Sequence, residues 1–328
     1  MTHSGGAALA GGARNMGRTG LTTSRIGYGA MELAGFPRAR AIAEAEAVRF
    51  LNEVVDRGIN YIDTSIDYGL SETAIGKALS RRRGDFFLAT KCACQVGMEG
   101  TEHGEKHVYT GENVTAGVEQ SLRRLKTDHL DVAQVHGNPT RKELEDGGVI
   151  DALQALQKRG AVRFIGISSR LPLLAEFVEP DYFQVIQVPY SALQRTNEGV
   201  IAALKQSGKA IVARGVTGRG APAKGWATRP IGTADGEVRS LWERAGLDDL
   251  LGGMSRIEFM IRFAMANDDI DVALVATTDS AHLAADIDHA ARGPLDAATY
   301  RTARERIDAA GGGSGQGKYQ SGGPTVVL

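Results

Sequence analysis

The feature that most constrains this chain is an alternation repeated eight times. Short β-branched or apolar runs end in small or polar residues, and longer amphipathic stretches follow them. The runs fall at 25–29 (RIGYG), 59–63 (INYID), 86–91 (FFLATK), 129–135 (HLDVAQV), 162–167 (VRFIGI), 184–188 (QVIQV), 210–214 (AIVAR) and 271–276 (DVALVA). Helical patterns are predicted over 43–57, 71–81, 111–126, 149–159, 172–178, 197–207, 255–266 and 280–290. Within 111–126, Val114, Val118, Leu122 and Leu125 recur at spacings of four, four and three, which lays one apolar stripe along a helix. Glu112, Glu119, Arg123 and Lys126 are left for the solvent face. Strands separated by helices predict a parallel sheet. Eight such units in 328 residues predict a closed (β/α)8 barrel, or TIM barrel, rather than an open doubly wound sheet. The lack of a G-x-G-x-x-G after the first strand agrees.

Residues 16–29 (MGRTGLTTSRIGYG) predict a small N-terminal β-hairpin leading into the first barrel strand. The longest connection follows strand seven. It contains RGVTGRGAPAKGWATRPIGTADG, too long and too rich in Gly and Pro for a plain connector, and so predicts a functional loop. Residues 296–309 predict a last helix outside the barrel. The expected organisation is a flexible segment over 1–15, one domain over 16–310 and a flexible Gly/Ser-rich tail over 311–328.

The net charge of −1 provides no basic surface for nucleic acid or an anionic membrane. The first 15 residues lack the basic start and continuous apolar stretch of a signal peptide, so none is expected there, and without an 18-residue apolar run no membrane span is expected. The basic run RRRGD (81–85) suits the negative end of a helix dipole. Cys92 and Cys94 are badly spaced for a disulfide with each other and too few for a four-cysteine zinc site. They read as reduced thiols at a strand end, consistent with a cytoplasmic protein, and a monomer is the default. HGEKH (103–107) sets two histidines four apart, but Gly104 between them, Gly100 just upstream and loop surroundings argue against a metal site. Trp242 reads as helix packing, and Trp226 as a candidate wall of a pocket.

In a barrel of this kind the C-terminal strand ends line the site. Strand two ends at Asp63, with Tyr68 in the loop behind it; strand three ends at Lys91, and strand four runs into His136. An acid, a phenol, an amine and an imidazole therefore converge from three neighbouring strands. A lysine ammonium beside a tyrosine lowers the phenol pKa, an aspartate keeps the lysine charged, and a histidine orients a substrate oxygen. This set suits protonation of a carbonyl oxygen as hydride reaches its carbon, or the reverse. It supplies no hydride, so a reduced nicotinamide is required.

The motifs DTSIDYGLSE, LATK and LDVAQVH resemble the signatures of the aldo-keto reductases, as do RGAVRFIGISS and VIQVPYSAL. The resemblance runs in order over residues 17–290. It implies that Asp63, Tyr68, Lys91 and His136 form the family's catalytic tetrad. It further implies that Ser168, Ser169 and Gln187 hold the nicotinamide carboxamide, although the family carries an asparagine at the second of these positions. Arg214 stands where many members place a tyrosine that stacks on nicotinamide. Gly215, Thr217, Gly218 and Arg219 lie where the family's loop follows the pyrophosphate. Ala276 and His282 replace the usual cations of the 2′-phosphate site, Asp286 stands at an adenine-binding position, and Thr277 and Thr278 supply hydroxyls. NADP is the implied cofactor, with NAD possible, and the substrate is a small carbonyl or alcohol. A second implied class is a cofactor-binding regulatory subunit of the potassium-channel β type. A metal-dependent barrel hydrolase is disfavoured, because GYGAMEL offers no H-x-H after strand one.

Overall fold

The structure is a computed structural model that describes residues 8–35, 39, 41–96, 106–218 and 241–312. Two short strands, β1 (Ala13–Asn15) and β2 (Thr22–Ser24), pair antiparallel. Eight parallel strands follow: β3 (Ile26–Gly29), β4 (Tyr61–Asp63), β5 (Phe87–Cys92), β6 (Leu130–His136), β7 (Val162–Ser168), β8 (Val185–Pro189), β9 (Ala210–Arg214) and β10 (Val272–Val275). Each pairs with the next in sequence and β10 returns to β3, closing the barrel.

Period-two alternation sorts the side chains. Tyr61, Phe87, Ala89 and Val132 pack inside the barrel, whereas Ile62, Leu88 and Ala133 pack outward against the helices. Continuing each inward face by two residues gives Asp63, Lys91 and Gln134, and then His136. The barrel is thus apolar at its lower end and turns polar at the C-terminal rim.

The hairpin plugs the lower end, with Met16 and Leu21 joining the inner apolar cluster. Its turn lies so close to the chain before β9 that a Cβ on Gly17 would stand 2.5 Å from the amide nitrogen of Ala210, and Gly17 itself has φ +46. The hairpin begins earlier than the sequence suggests. Within residues 8–15, expected as part of a flexible segment, Ala10 is buried and its N–H bonds the carbonyl of Gly58 at 3.0 Å, and Ala13–Asn15 pair with β2.

Around the barrel lie α1 (Glu44–Asp56), α2 (Ser71–Leu79), α3 (Gly111–Leu125), α4 (Arg141–Asp146), α5 (Val149–Lys158), α6 (Glu198–Gln206), α7 (Arg256–Met265), α8 (Ser280–Ala291) and α9 (Ala297–Ala309). Two expectations need correction. The polar stretch after β6 contains α4, started by a capping box between Thr140 and Glu143. The segment expected as a helix over 172–178 is a short 3-10 turn, Leu173–Phe177. The basic run ends a helical segment as expected, but it also braces the barrel floor. Arg83 donates to the Asp131 carboxylate at 2.6 Å, and that carboxylate also accepts from Arg163 and the Leu88 amide. Trp242 is buried, donating to Asp248 at 3.0 Å and meeting Phe259 edge-on. Tyr300 of α9 packs on Phe263 at 4.8 Å, which fixes the last helix to the outside. Trp226 and the tail beyond 312 lie outside the described residues. Among the described residues no helix is long and apolar enough to cross a membrane.

Gly76 of α2 presses on the end of α3, where an added Cβ would lie 2.1 Å from the Arg124 carbonyl oxygen. Gly76→Ala is expected to lower stability by about 1–3 kcal/mol, as overpacking does, despite alanine's better helix propensity. Urea unfolding measures it, and an unchanged midpoint contradicts this packing.

Candidate active site

Asp63 is the hub of the rim. Its Oδ2 accepts from Lys91 Nζ at 2.6 Å, and its Oδ1 accepts from Gln134 Nε2 at 2.8 Å and from Gln187 Nε2 at 2.7 Å. Lys91 Nζ also donates to the Thr64 carbonyl at 2.8 Å. Both charged side chains are nearly sealed from water, Lys91 at 1% and Asp63 at 4% exposure, so each depends on the other for compensation. Burial works against the Lys91 charge, but Asp63, with Tyr68 and Asp67 behind it, outweighs burial, and the ammonium pKa lies above its ordinary value.

Lys91 Nζ sits 4.6 Å from the centre of the Tyr68 ring. The sequence predicts a phenol with a lowered pKa. Burial instead raises it; Lys91 pulls it down by charge and hydrogen bonding, Asp63 and Asp67 push it up, and the net direction is upward. Without ligands Tyr68 is therefore a neutral phenol with a cation beside it. His136 is also held neutral. Burial lowers its pKa to about 3, with Asp67 opposing and Lys91, His107 and Arg214 reinforcing. The register of β8 and β9, with Pro189 opposite Arg214, places the end of β9 at this same rim.

Beside the hub, Ser168 Oγ donates to Gln187 Oε1 at 2.8 Å, so Gln187 bridges Ser168 to Asp63. Ser169 Oγ bonds Asn138 Oδ1 at 3.0 Å. Gly215, Thr217 and Gly218 form a turn closed by Gly218 N–H to the Gly215 carbonyl at 3.0 Å; Arg219 lies outside the described residues. At the far side, the Thr277 carbonyl accepts from the Tyr28 hydroxyl and Thr278 is buried. Asp279 caps α8 by accepting from the amides of Ala281 and His282 at 2.8 and 3.2 Å. Asp286, one turn further along α8, is 8% exposed, and burial raises its pKa to about 7. Asp63, Tyr68, Lys91, His136, Ser168, Gln187 and Arg214 thus share one neighbourhood, while Asp279, His282 and Asp286 form a separate group on α8.

The aldo/keto reductase family model matches residues 25–308. This chain belongs to the aldo/keto reductase family. Among solved structures, an aldo-keto reductase of Bacillus halodurans in its holo form has a TM-score of 0.75 at 28% identity, covering 90% of this chain and 95% of that one. An oxidoreductase of Bacillus subtilis, YqkF, is 32% identical over 63% of this chain and 65% of its own length. L-galactose dehydrogenase of Arabidopsis thaliana is 36% identical over 49% of each chain. The matched stretch therefore spans between half and two thirds of these two curated relatives.

For an aldo/keto reductase, the sequence reading omitted several residues at the rim. Gln134 was legible in principle as the one polar residue inside the apolar stretch VAQV (132–135), two positions before His136 and so on its face. Asn138 gave no periodic signal, because loop geometry places it; Cys94 and His107 were visible only as a thiol at a strand end and as part of HGEKH, with nothing to bring them to His136. Cys94 Sγ lies 3.1 Å from His136 Nδ1, and the His107 ring meets His136 edge-on at 5.0 Å.

Asp286 yields a signed pH effect. Its folded pKa of about 7 exceeds the unfolded value of about 3.9, so the folded state keeps a proton that the unfolded chain loses, and stability falls as pH rises from about 4 to 7. Asp286→Asn escapes this loss. Its stability advantage over the parent is expected to grow between pH 4.5 and 8, up to ~4 kcal/mol. Urea unfolding without cofactor at the two pH values checks this, and an advantage independent of pH contradicts it.

Proposed function

We propose that this protein is an NAD(P)-dependent oxidoreductase that moves hydride between nicotinamide and a small carbonyl or alcohol, with reduction of aldehydes or ketones the favoured direction. The observation that carries the reading is the sealed Asp63–Lys91 pair set against the Tyr68 ring, with neutral His136 on the same rim. Bound at this rim, a nicotinamide cofactor supplies the hydride. Tyr68 delivers the proton to the substrate oxygen. Lys91 makes the resulting phenolate accessible in a site where burial alone would forbid it. Asp63, held on both oxygens, fixes Lys91 in charge and position.

His136 orients the substrate oxygen. Burial pushes the Cys94 thiol pKa well up, so Cys94 carries its proton and donates S–H to Nδ1. That leaves the hydrogen on Nε2, the form able to donate to a substrate oxygen.

The donor set suits the nicotinamide end of a dinucleotide. Ser168 and Gln187 offer a hydroxyl and an amide beside the hub, and the Gly215–Gly218 turn offers backbone amides. The adenosine end is different. The first amides of α8, which attract anions at a helix N-terminus, already bond the Asp279 carboxylate, and Ser280 donates to Glu53 at 2.6 Å. On the family resemblance, these acids stand beside the expected 2′-phosphate site. They support weaker discrimination between NADP and NAD than the family resemblance implies. A cytoplasmic protein working as a monomer on a small molecule completes the reading.

The test follows reduced-nicotinamide absorbance with NADPH and with NADH against a panel of aldehydes and ketones. Tyr68→Phe is expected to lose about 10²- to 10⁴-fold in turnover, the range for a positioned acid, while binding cofactor like the parent. A variant as fast as the parent, or a parent that binds neither cofactor, contradicts the proposal.

A further inference from the structure

Around the imidazole of His136 the structure gathers a thiol and a second imidazole, which makes three side chains able to ligate a transition metal. Cys94 Sγ, one ring nitrogen of His107 and one of His136 all lie within 4.8 Å of one another. The Cys94 sulfur is 3.1 Å from His136 Nδ1, and the two histidine rings meet edge-on at 5.0 Å. Cys94 is buried at 1% exposure and both histidines are half-buried.

The placement is built by the backbone. Cys94 and His107 face each other across an antiparallel bridge, flanked by Gln95 N–H to the Lys106 carbonyl at 3.0 Å and Val108 N–H to the Ala93 carbonyl at 2.7 Å. His136 enters from the end of β6, and Tyr109, whose ring stacks parallel to His107, donates its hydroxyl to the His136 carbonyl at 3.2 Å. The Asp67 carboxylate stands beside the group, with Oδ1 3.7 Å from His136 Nδ1. Gly137 allows the approach: a Cβ there would fall 2.4 Å from the Tyr109 hydroxyl and 3.1 Å from His107.

We propose that Cys94, His107 and His136 form a binding site for a zinc-class divalent transition metal ion, with Asp67 or water completing a tetrahedron. One thiolate and two imidazoles form a borderline-soft S/N donor set suited to zinc. Bonds of about 2.3 Å to sulfur and about 2.0–2.1 Å to nitrogen place tetrahedral ligand atoms roughly 3.3–3.7 Å apart. The three donors reach that spacing by shifts of about 1 Å. On binding, Cys94 gives its thiol proton to solvent, and the thiolate and two imidazole lone pairs form the metal bonds. Because Nδ1 faces Cys94, coordination there leaves the hydrogen on Nε2. On the proposed function, metal and substrate oxygen then use opposite nitrogens of one ring.

The site differs from the H-x-x-x-H spacing visible in the sequence. His107 takes part, but its partners come from the end of β6 and from the segment after β5.

The test uses Co²⁺ as a spectroscopic probe, titrated anaerobically into the full chain, and needs no turnover. One Co²⁺ per chain is expected, with a near-ultraviolet thiolate-to-cobalt charge-transfer band that Zn²⁺ displaces. Cys94→Ser is expected to abolish the band, and His107→Ala to weaken binding at least tenfold. Zn²⁺ is expected to raise the melting temperature of the parent and not that of Cys94→Ser, with unliganded melting curves checking that both variants fold. No band in the parent, or a band that survives Cys94→Ser, overturns the site. A protein that binds Co²⁺ in this way but reduces no carbonyl keeps the site and loses the proposed function.

Discussion

The rim of this barrel depends on one buried ion pair. An ammonium and a carboxylate withdrawn from water cost several kcal/mol each unless their geometry is good and their remaining hydrogen-bonding capacity is met. Here it is met. Lys91 divides its donors between Asp63 and the Thr64 carbonyl, and Asp63 takes Gln134 and Gln187 on its other oxygen. Four strands, β4, β5, β6 and β8, contribute one side chain each to this cluster. The barrel must close in a single register for the cluster to form, and the cluster in turn penalises any other register.

The same pair sets the electrostatics around it. A lone phenol in this pocket would be very hard to ionise, and a lone lysine would tend to lose its proton. Together with Asp63 they form a neutral phenol beside a firmly held cation. His136 is neutral for the same reason, since burial disfavours its charge, but here the nearby cations add to the effect instead of opposing it. In the proposed reaction both proton-handling groups thus start uncharged, and the Lys91 charge beside them is compensated by Asp63.

Much of this could be read from the sequence because the barrel reduces to two periods. The eight strand positions agree with the observed ones to within one or two residues, since each is a β-branched run bounded by turn residues. Asp63, Lys91 and His136 stood out because each ends such a run. The features that escaped depend on non-periodic geometry. The capping box at Thr140 starts a helix too short to show an apolar stripe. The segment after β7 has helical composition but only 3-10 geometry. The packing of Ala10 under Gly58 rests on backbone contact that composition does not reveal. The upward net direction of the Tyr68 pKa was missed because burial depth, which outweighs Lys91 here, is a tertiary quantity. At the start of α8 the sequence showed the lack of the cations that the resemblance implies, whereas the occupation of the first α8 amides by Asp279 needed coordinates.

The central claim is that Asp63 governs the proton chemistry through Lys91. The most direct measurement is the single-turnover rate of hydride transfer in Asp63→Asn, with reduced cofactor binding and melting temperature measured alongside. The isosteric amide keeps the shape and removes the charge. With folding and cofactor binding retained, the rate is expected to fall about 10²- to 10³-fold, the scale of losing a preorganised electrostatic partner. Hydride transfer at the parent rate would contradict the account.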